Sequence, residues 1–271
     1  MPPEEMGADV ESSFAHQSDA KVTQAVTAAL DLAAVVLQSG GSAVMADTTL
    51  KNVLKGYGEE GVATVYRQDF IVASSFANGQ AWTVLRPLSP AGLHLVRASE
   101  AATISERVAR GEVITVDFES QLGRIKQLAS PYNRWTTTLA AACAAAAFSR
   151  STGGDWRGMG VVLVAAAVGQ LVRALLQKRN FSRYAVTFIC ALISGFLAVA
   201  GLRLGLTAVA GATLIGSVVY MVPGVPLING FVEIASGKHL FVGLQRLLDA
   251  TSLFFILTVA VAIANSALRT R

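Results

Sequence analysis

YAVTFICALISGFLAVAGL, Tyr184 to Leu202, runs without a charge between Arg183 and Arg203. A helix needs about 20 such residues to cross a bilayer core about 30 Å thick, and this stretch meets that requirement outright. The run is one of five. Trp135–Ser149 lies between Arg134 and Arg150, and Gly158–Val172 between Arg157 and Arg173. Leu204–Val232 is longer than one crossing needs, and Ala250–Leu268 sits between Asp249 and Arg269. The first two reach crossing length if Arg134 and Arg173 snorkel to the headgroups. Buried helices of a large soluble core are the rival reading, but five such runs leave almost no polar face for water. The expectation is an α-helical integral membrane protein of about five transmembrane helices, spanning about 132–149, 158–176, 184–202, 204–222 and 249–268.

Composition agrees. Of 271 residues, 53% are hydrophobic and only 15% charged, with a mean hydropathy of +0.51, against roughly 25% charged in soluble domains. Charge is split along the chain. Residues 1–133 carry a net −5 and residues 134–271 a net +9. Basic residues spaced between apolar runs are membrane flanks rather than a phosphate-tracking patch, so nucleic acid is not an expected partner and the lipid bilayer is. With the N-terminal region inside, the inner flanks hold nine basic residues and the outer flanks five. That asymmetry predicts a cytoplasmic N-terminus and, for five spans, an external C-terminus. No cleavable signal precedes the acidic first half, which points to a bacterial inner membrane.

The first half reads as a small cytosolic α+β domain over 20–131, preceded by a disordered tail, 1–19. Val22, Ala25, Val26, Ala29, Leu30, Ala33 and Leu37 mark one face of an amphipathic helix, capped near Asp19 and ended by Gly40–Gly41. Leu50, Val53 and Leu54 mark a second helix. Strands are expected at Val62–Tyr66, Phe70–Phe76 and Trp82–Leu85, separated by turn signals at Arg67–Asp69 and Asn78–Gly79. Two further helices fall at about 92–110, ended by Gly111, and about 117–129.

Few residues suggest chemistry of the enzymatic kind. Gly56-Tyr57-Gly58-Glu59-Glu60-Gly61 has the dinucleotide spacing, but it follows a helix and enters a strand, the reverse of a phosphate site. A helix-to-strand turn is the better reading. His16, His94 and His239 stand apart from one another and from ligand-spaced carboxylates or cysteines, so no metal or cofactor is expected. Cys143 and Cys190 lie mid-span as small packing residues. No nucleophile–base constellation is visible, and a membrane-tethered enzyme is the weakest alternative.

Tyr220-Met221-Val222-Pro223-Gly224-Val225-Pro226-Leu227-Ile228-Asn229-Gly230-Phe231-Val232-Glu233 is different. Pro223, Gly224 and Pro226 free backbone groups from the helix ladder, which membranes tolerate only inside protein or along a wet cavity. Asn229 and Glu233 share a helix face, and Arg246 and Asp249 open the next span. Together these seven residues form a candidate substrate-binding and translocation site. Arg246 offers a fixed charge for a carboxylate, and Glu233 could hold Arg246 when the site is empty. An ordinary Pro-Gly turn with solvated charges is the alternative, and spacing alone does not separate the two.

This stretch resembles the late motif of the threonine/serine exporter family, Leu-Val-Pro-Gly, an Asn, an acid, two glycines and Arg-Leu. Here it reads Met221-Val222-Pro223-Gly224, Asn229, Glu233, Gly237, Gly243 and Arg246-Leu247. The family's earlier small-residue turn corresponds to Ser39-Gly40-Gly41-Ser42, followed by Met45, Asp47, Thr49 and Leu50, and its Val-Arg position to Val84-Leu85-Arg86. Met45 replaces an Arg and Asp47 a Glu; Val232, Glu233 and Lys238 also depart from the commonest residues. The resemblance covers about residues 20–268. It implies a secondary exporter of small metabolites, threonine and serine or, in the split form, succinate. Because the chain ends after five spans, it resembles the split form, whose N-terminal component works with a second, smaller membrane subunit. An odd span count would leave that related half inverted, the usual architecture of alternating-access carriers. The remaining alternative is a sensor or scaffold whose spans merely anchor the cytosolic domain.

Overall fold

The computed structural model describes residues 22–59, 61–77, 80–89, 92–113 and 115–269. The tail and the Asp19 cap expected from sequence lie outside them. Two compact units emerge. One comprises the described residues through Ala129 together with Val225–Leu247, and the other Ser130–Gly224 with Leu248–Arg271.

The first unit opens with helix α1, Val22–Gln38. Its expected apolar face is buried, but so are Leu32, Ala34, Val35 and Val36. α1 is therefore a central helix covered on most sides, not an amphipathic surface helix. Helix α2, Ala43–Gly56, starts at Ser42, whose hydroxyl accepts from the Met45 amide at 3.1 Å. Strands β1 (Ala63–Tyr66), β2 (Phe70–Ala77) and β3 (Gln80–Pro87) form an antiparallel sheet in sequential order. The glycine-rich stretch between α2 and β1 is the helix-to-strand turn expected, with Gly58 at φ +76° and Gly61 at φ +81°. Helices α3 (Leu95–Ala109) and α4 (Thr115–Lys126) follow. Leu30, Leu50, Val53, Ile71, Ile104 and Phe118 meet in one core. Val242 belongs to the same core, although it comes from far along the chain.

Val242 arrives on the segment that sequence reading had divided between the fourth and fifth spans. Helix α9, Gly224–Ala235, and the start of α10, Leu240–Arg269, belong here. Helix α10 begins well before the expected 249, so Arg246 and Asp249 lie within its early turns instead of ahead of it. A Cβ on Gly243 would sit 2.8 Å from the Gly230 carbonyl oxygen, so α9 and α10 pack backbone against backbone.

The second unit holds α5 (Arg134–Ser151), α6 (Trp156–Lys178), α7 (Arg183–Arg203), α8 (Ala210–Val218), a 3₁₀ turn (Val219–Met221) and the remainder of α10. Asn133, Asp155 and Ser182 cap α5, α6 and α7 through their side chains. Arg134 lies over Trp135, Arg150 over Trp156 and Arg183 over Tyr184, the cation–aromatic pairs typical of membrane boundaries. Leu139, Val164, Phe196 and Phe255 are exposed on the helices, a surface suited to lipid. Among the described residues, α6, α7 and α10 are long and apolar enough to cross a membrane, and α8 with α9 qualifies only as one broken span. The long fourth run does not start as helix at Leu204; α8 begins at Ala210, and the ladder stops at Val222, which is extended before Pro223.

Candidate functional site

The polar residues singled out near the broken helix converge on the turn between α1 and α2. Gly40 sits there at φ +90°, and a Cβ on it would lie 2.5 Å from the Leu93 side chain. The positive φ demands glycine, whereas the Leu93 methyl ends a flexible side chain that can step aside. The reversal leaves three successive carbonyls pointing away from any helix ladder, and each finds a donor. The His94 amide donates to Ser39 at 3.0 Å, the Asn229 amide nitrogen Nδ2 to Gly40 at 2.9 Å, and Arg246 Nη2 to Gly41 at 3.1 Å. The amide of Ala43, first in α2, donates to Glu233 Oε1 at 2.7 Å. A carboxylate at this position satisfies an orphan amide and meets the positive end of the helix dipole.

Glu233 is fully buried. Its second oxygen lies 3.2 Å from Arg246 Nε, an ionic contact that is not aligned as a hydrogen bond. Glu233 holding Arg246 is thus what the structure displays. The carboxylate consumes the charge that sequence reading offered to a ligand. Asp249 makes different contacts: it is bound by Arg183 and, at 2.6 Å, by the Tyr184 hydroxyl, all within the second unit. Pro223 and Gly224 fall at the helix break in that unit, while Pro226 lies on the first turn of α9.

The earlier motif positions are engaged as well. Ser39 is buried in the turn, and Gly40 forms its left-handed step. Asp47, nearly buried on α2, accepts from Lys51 at 2.5 Å, with the Thr64 and Tyr66 hydroxyls each at 3.4 Å. Burial, reinforced by Asp47, pushes the Tyr66 hydroxyl above its ordinary range. His239 packs edge-on against Tyr66 with ring centroids 5.2 Å apart, and burial holds its imidazole below the usual value. Arg86, on β3, binds Asp31 of α1 at 2.5 Å, and Lys126 reaches the other Asp31 oxygen at 3.1 Å. Beside this triad lies a cleft of about 710 Å³ lined by Thr27, Asp31, Trp82, Phe118 and Lys126. Among the described residues no three His, Cys, Asp or Glu side chains converge as a metal site would need.

Sequence reading missed two things here. It did not see that the Ser39–Ser42 turn and the Asn229–Arg246 segment form one site. Nor did it see the polar cluster of Ser194 and Tyr220 in the second unit, where Tyr220 Oη lies 3.0 Å from Ser194 Oγ. A signal for the first existed: the second half has only three acids, so each should have a dedicated partner.

The family described as "Putative threonine/serine exporter" matches residues 27–267, which include the turn, the broken helix and Arg246. The chain belongs to this family. Among curated proteins, "Probable succinate transporter subunit YjjP" of Klebsiella aerogenes is 27% identical over 254 residues, covering 92% of this chain and 96% of the relative. The protein of that name from Escherichia coli K12 is 26% identical over 233 residues, covering 84% and 89%. No solved structure matches significantly. Membership in the threonine/serine exporter family, with apolar helices of spanning length, indicates a membrane transport protein.

Proposed function

We propose that the chain is one subunit of a secondary-active exporter of small carboxylate metabolites, succinate-type dicarboxylates or threonine and serine, in a bacterial inner membrane. The family match along nearly the whole chain carries this reading. Relatives named as succinate transporter subunits favour a dicarboxylate and a second small membrane subunit. In this reading Asn229, Glu233 and Arg246 serve translocation as a gate, tying α9 and α10 to the α1–α2 turn. For a substrate carboxylate to reach Arg246, Glu233 must first leave it.

The same bonds bear on topology. Asn229 and Arg246 hold the Gly40 and Gly41 carbonyls, which supports placing residues 22–129 and 225–247 on one side of the membrane. An even number of crossings must then lie between them, and α10 adds one more. The total is odd, three or five, with five if α5 and α8 both cross. Together with the basic asymmetry, this supports a cytoplasmic N-terminal domain over 20–131 and an external C-terminus. A role in sensing cytosolic solutes is favoured by the cleft beside Asp31 and Trp82, and is compatible with transport.

Two measurements test the reading. A reporter active only outside the cytoplasm should work when fused after Arg271 and fail when fused after Ser130; equal behaviour would remove the odd count. Cells expressing the chain with its small partner should export succinate, threonine or serine faster than cells expressing either alone. Unchanged efflux of all three would reject the exporter assignment.

A further inference from the structure

Among the described residues of the second unit, Arg173 is the cation that is drawn into the helices without a counter-ion. The three acids of residues 134–271 are engaged elsewhere: Asp155 with the Gly158 amide and Thr207, Glu233 with Arg246, and Asp249 with Arg183 and Tyr184. Among the described residues, no hydrogen bond or ion pair reaches the Arg173 guanidinium. Arg157, Lys178 and Arg179 are exposed at helix ends, whereas Arg173 is half-buried. It stands five residues, about 8 Å, inside the end of α6.

Its surroundings are polar on one side. Gln170, three residues earlier, shares its face of α6, and Gln170 Oε1 is buried with no hydrogen-bond partner. The Arg173 charge also acts on Cys190 of α7 and on Tyr220 of the 3₁₀ turn. Ser194 Oγ donates to the Ala165 carbonyl at 3.1 Å, which spends its single proton. Tyr220 Oη, 3.0 Å away, must therefore donate to Ser194, and its own oxygen is left with acceptor capacity. Gly169 makes the arrangement possible. A Cβ there would fall 1.9 Å from Tyr220 Oη and 2.1 Å from Ser194 Oγ. Around these groups the walls are apolar, with Val172, Leu176, Val186 and Met221 in one cluster.

One cation without an anion and two acceptor oxygens without donors, inside apolar helices, are costly unless a ligand completes them. We infer that Arg173, Gln170 and Tyr220 form an intramembrane binding site for a small organic acid, its carboxylate on Arg173 and an N–H or O–H at its other end on Gln170 or Tyr220. The inference rests on the exporter reading and locates the solute within it. An amino acid fits, and so does a dicarboxylic acid that keeps one proton. With the proposed orientation and five crossings the end of α6 is cytoplasmic, which makes this the loading end of an export path. The helix ladder breaks at Val222–Pro223, directly after Tyr220, which gives the site a backbone able to reshape around its occupant.

Equilibrium binding of labelled succinate, threonine and serine tests it, with the chain and its partner subunit in nanodiscs of neutral phosphatidylcholine or anionic phosphatidylglycerol. Affinity for the probe that wild type binds should fall about thirty-fold or more in Arg173→Gln in both lipids. It should return to within about three-fold in Arg173→Lys, fall several-fold in Gln170→Leu, and stay unchanged in Arg157→Gln. Wild-type affinity in Arg173→Gln overturns the proposal. So does an effect confined to phosphatidylglycerol, which would assign Arg173 to lipid phosphate. Binding of none of the probes by wild type defeats the exporter reading itself.

Discussion

Arg246 and Arg173 are both drawn into helical packing, and they are treated in opposite ways. Arg246 has Glu233 at 3.2 Å and the Gly41 carbonyl at 3.1 Å, in a network where the turn carbonyls and the first amide of α2 are all met. Among the described residues no hydrogen bond or ion pair reaches Arg173, and beside it Gln170 Oε1 is bare. A closed network holds a structure in one arrangement, and an open one waits for something to close it. On this comparison the Arg246 network is the latch of the proposed gate, and the Arg173 region is the proposed solute site.

The largest effect should come from breaking the closed network. Arg246→Met leaves Glu233 charged, fully buried and without its cation, and such a break costs about 3–5 kcal/mol. Glu233→Gln costs less, because its amide oxygen still receives the Ala43 amide. The double variant should recover much of the loss, since removing both charges removes the penalty that each single change exposes. Arg173→Leu should do the reverse, leaving the melting temperature unchanged or raised, because no internal partner is lost. Thermal unfolding of the purified protein in detergent reads all four. A strongly destabilised Arg173→Leu would mean that Arg173 has an internal counter-ion, and the contrast would collapse.

Glycines sharpen the same comparison at smaller scale. Gly243→Ala presses a methyl against the Gly230 carbonyl, which is backbone and cannot step aside, so a cost of about 1–3 kcal/mol is expected. Gly169→Ala meets the Tyr220 hydroxyl, the far end of a rotatable side chain. It should cost less stability and more transport, because Tyr220 must leave Ser194. Paired melting and efflux measurements on the two variants should rank oppositely. The same ranking for both would remove the distinction between the regions.

Local signals carried much of this fold. The turn residues Arg67–Asp69 separate β1 from β2, Ser42 starts α2, and the uncharged runs gave α6, α7 and most of α10. Each rests on neighbours in sequence, where capping, turn chemistry and apolar period act. What was not legible joins residues 189 to 205 positions apart: Asn229 with Gly40, Glu233 with Ala43, Arg246 with Gly41. No periodicity encodes such a meeting. The buried character of α1 escaped for a similar reason, since Leu32 and Val36 are covered by elements that arrive later, Val242 among them. Asp249 was grouped with the candidate site because it is close in sequence to Arg246, yet its counter-ion is Arg183, reached through a different helix packing.

The smallest expected effect lies at the edge of the closed network, where His239 meets Tyr66. Burial lowers the imidazole below its ordinary value of 6.5. Asp47 opposes burial, and Lys51 and Lys238 each add a smaller effect in the same direction as burial. A base held below its unfolded value means that the unfolded chain binds more protons as the pH drops. His239 therefore contributes its full stability above about pH 6.5, and that contribution is lost as the pH falls through the folded value. Melting curves at pH 7.5 and pH 5.5 should differ by a small step in wild type, with the acid sample melting earlier. In His239→Gln the step should shrink, because the group that takes up the proton is gone while the contact with Tyr66 is partly kept. Arg173→Leu, in the open region, should leave the step untouched, since Arg173 is not among the charges that act on His239. An unchanged step in His239→Gln would move the acid sensitivity to another group, and the closed network would lose its one titratable edge.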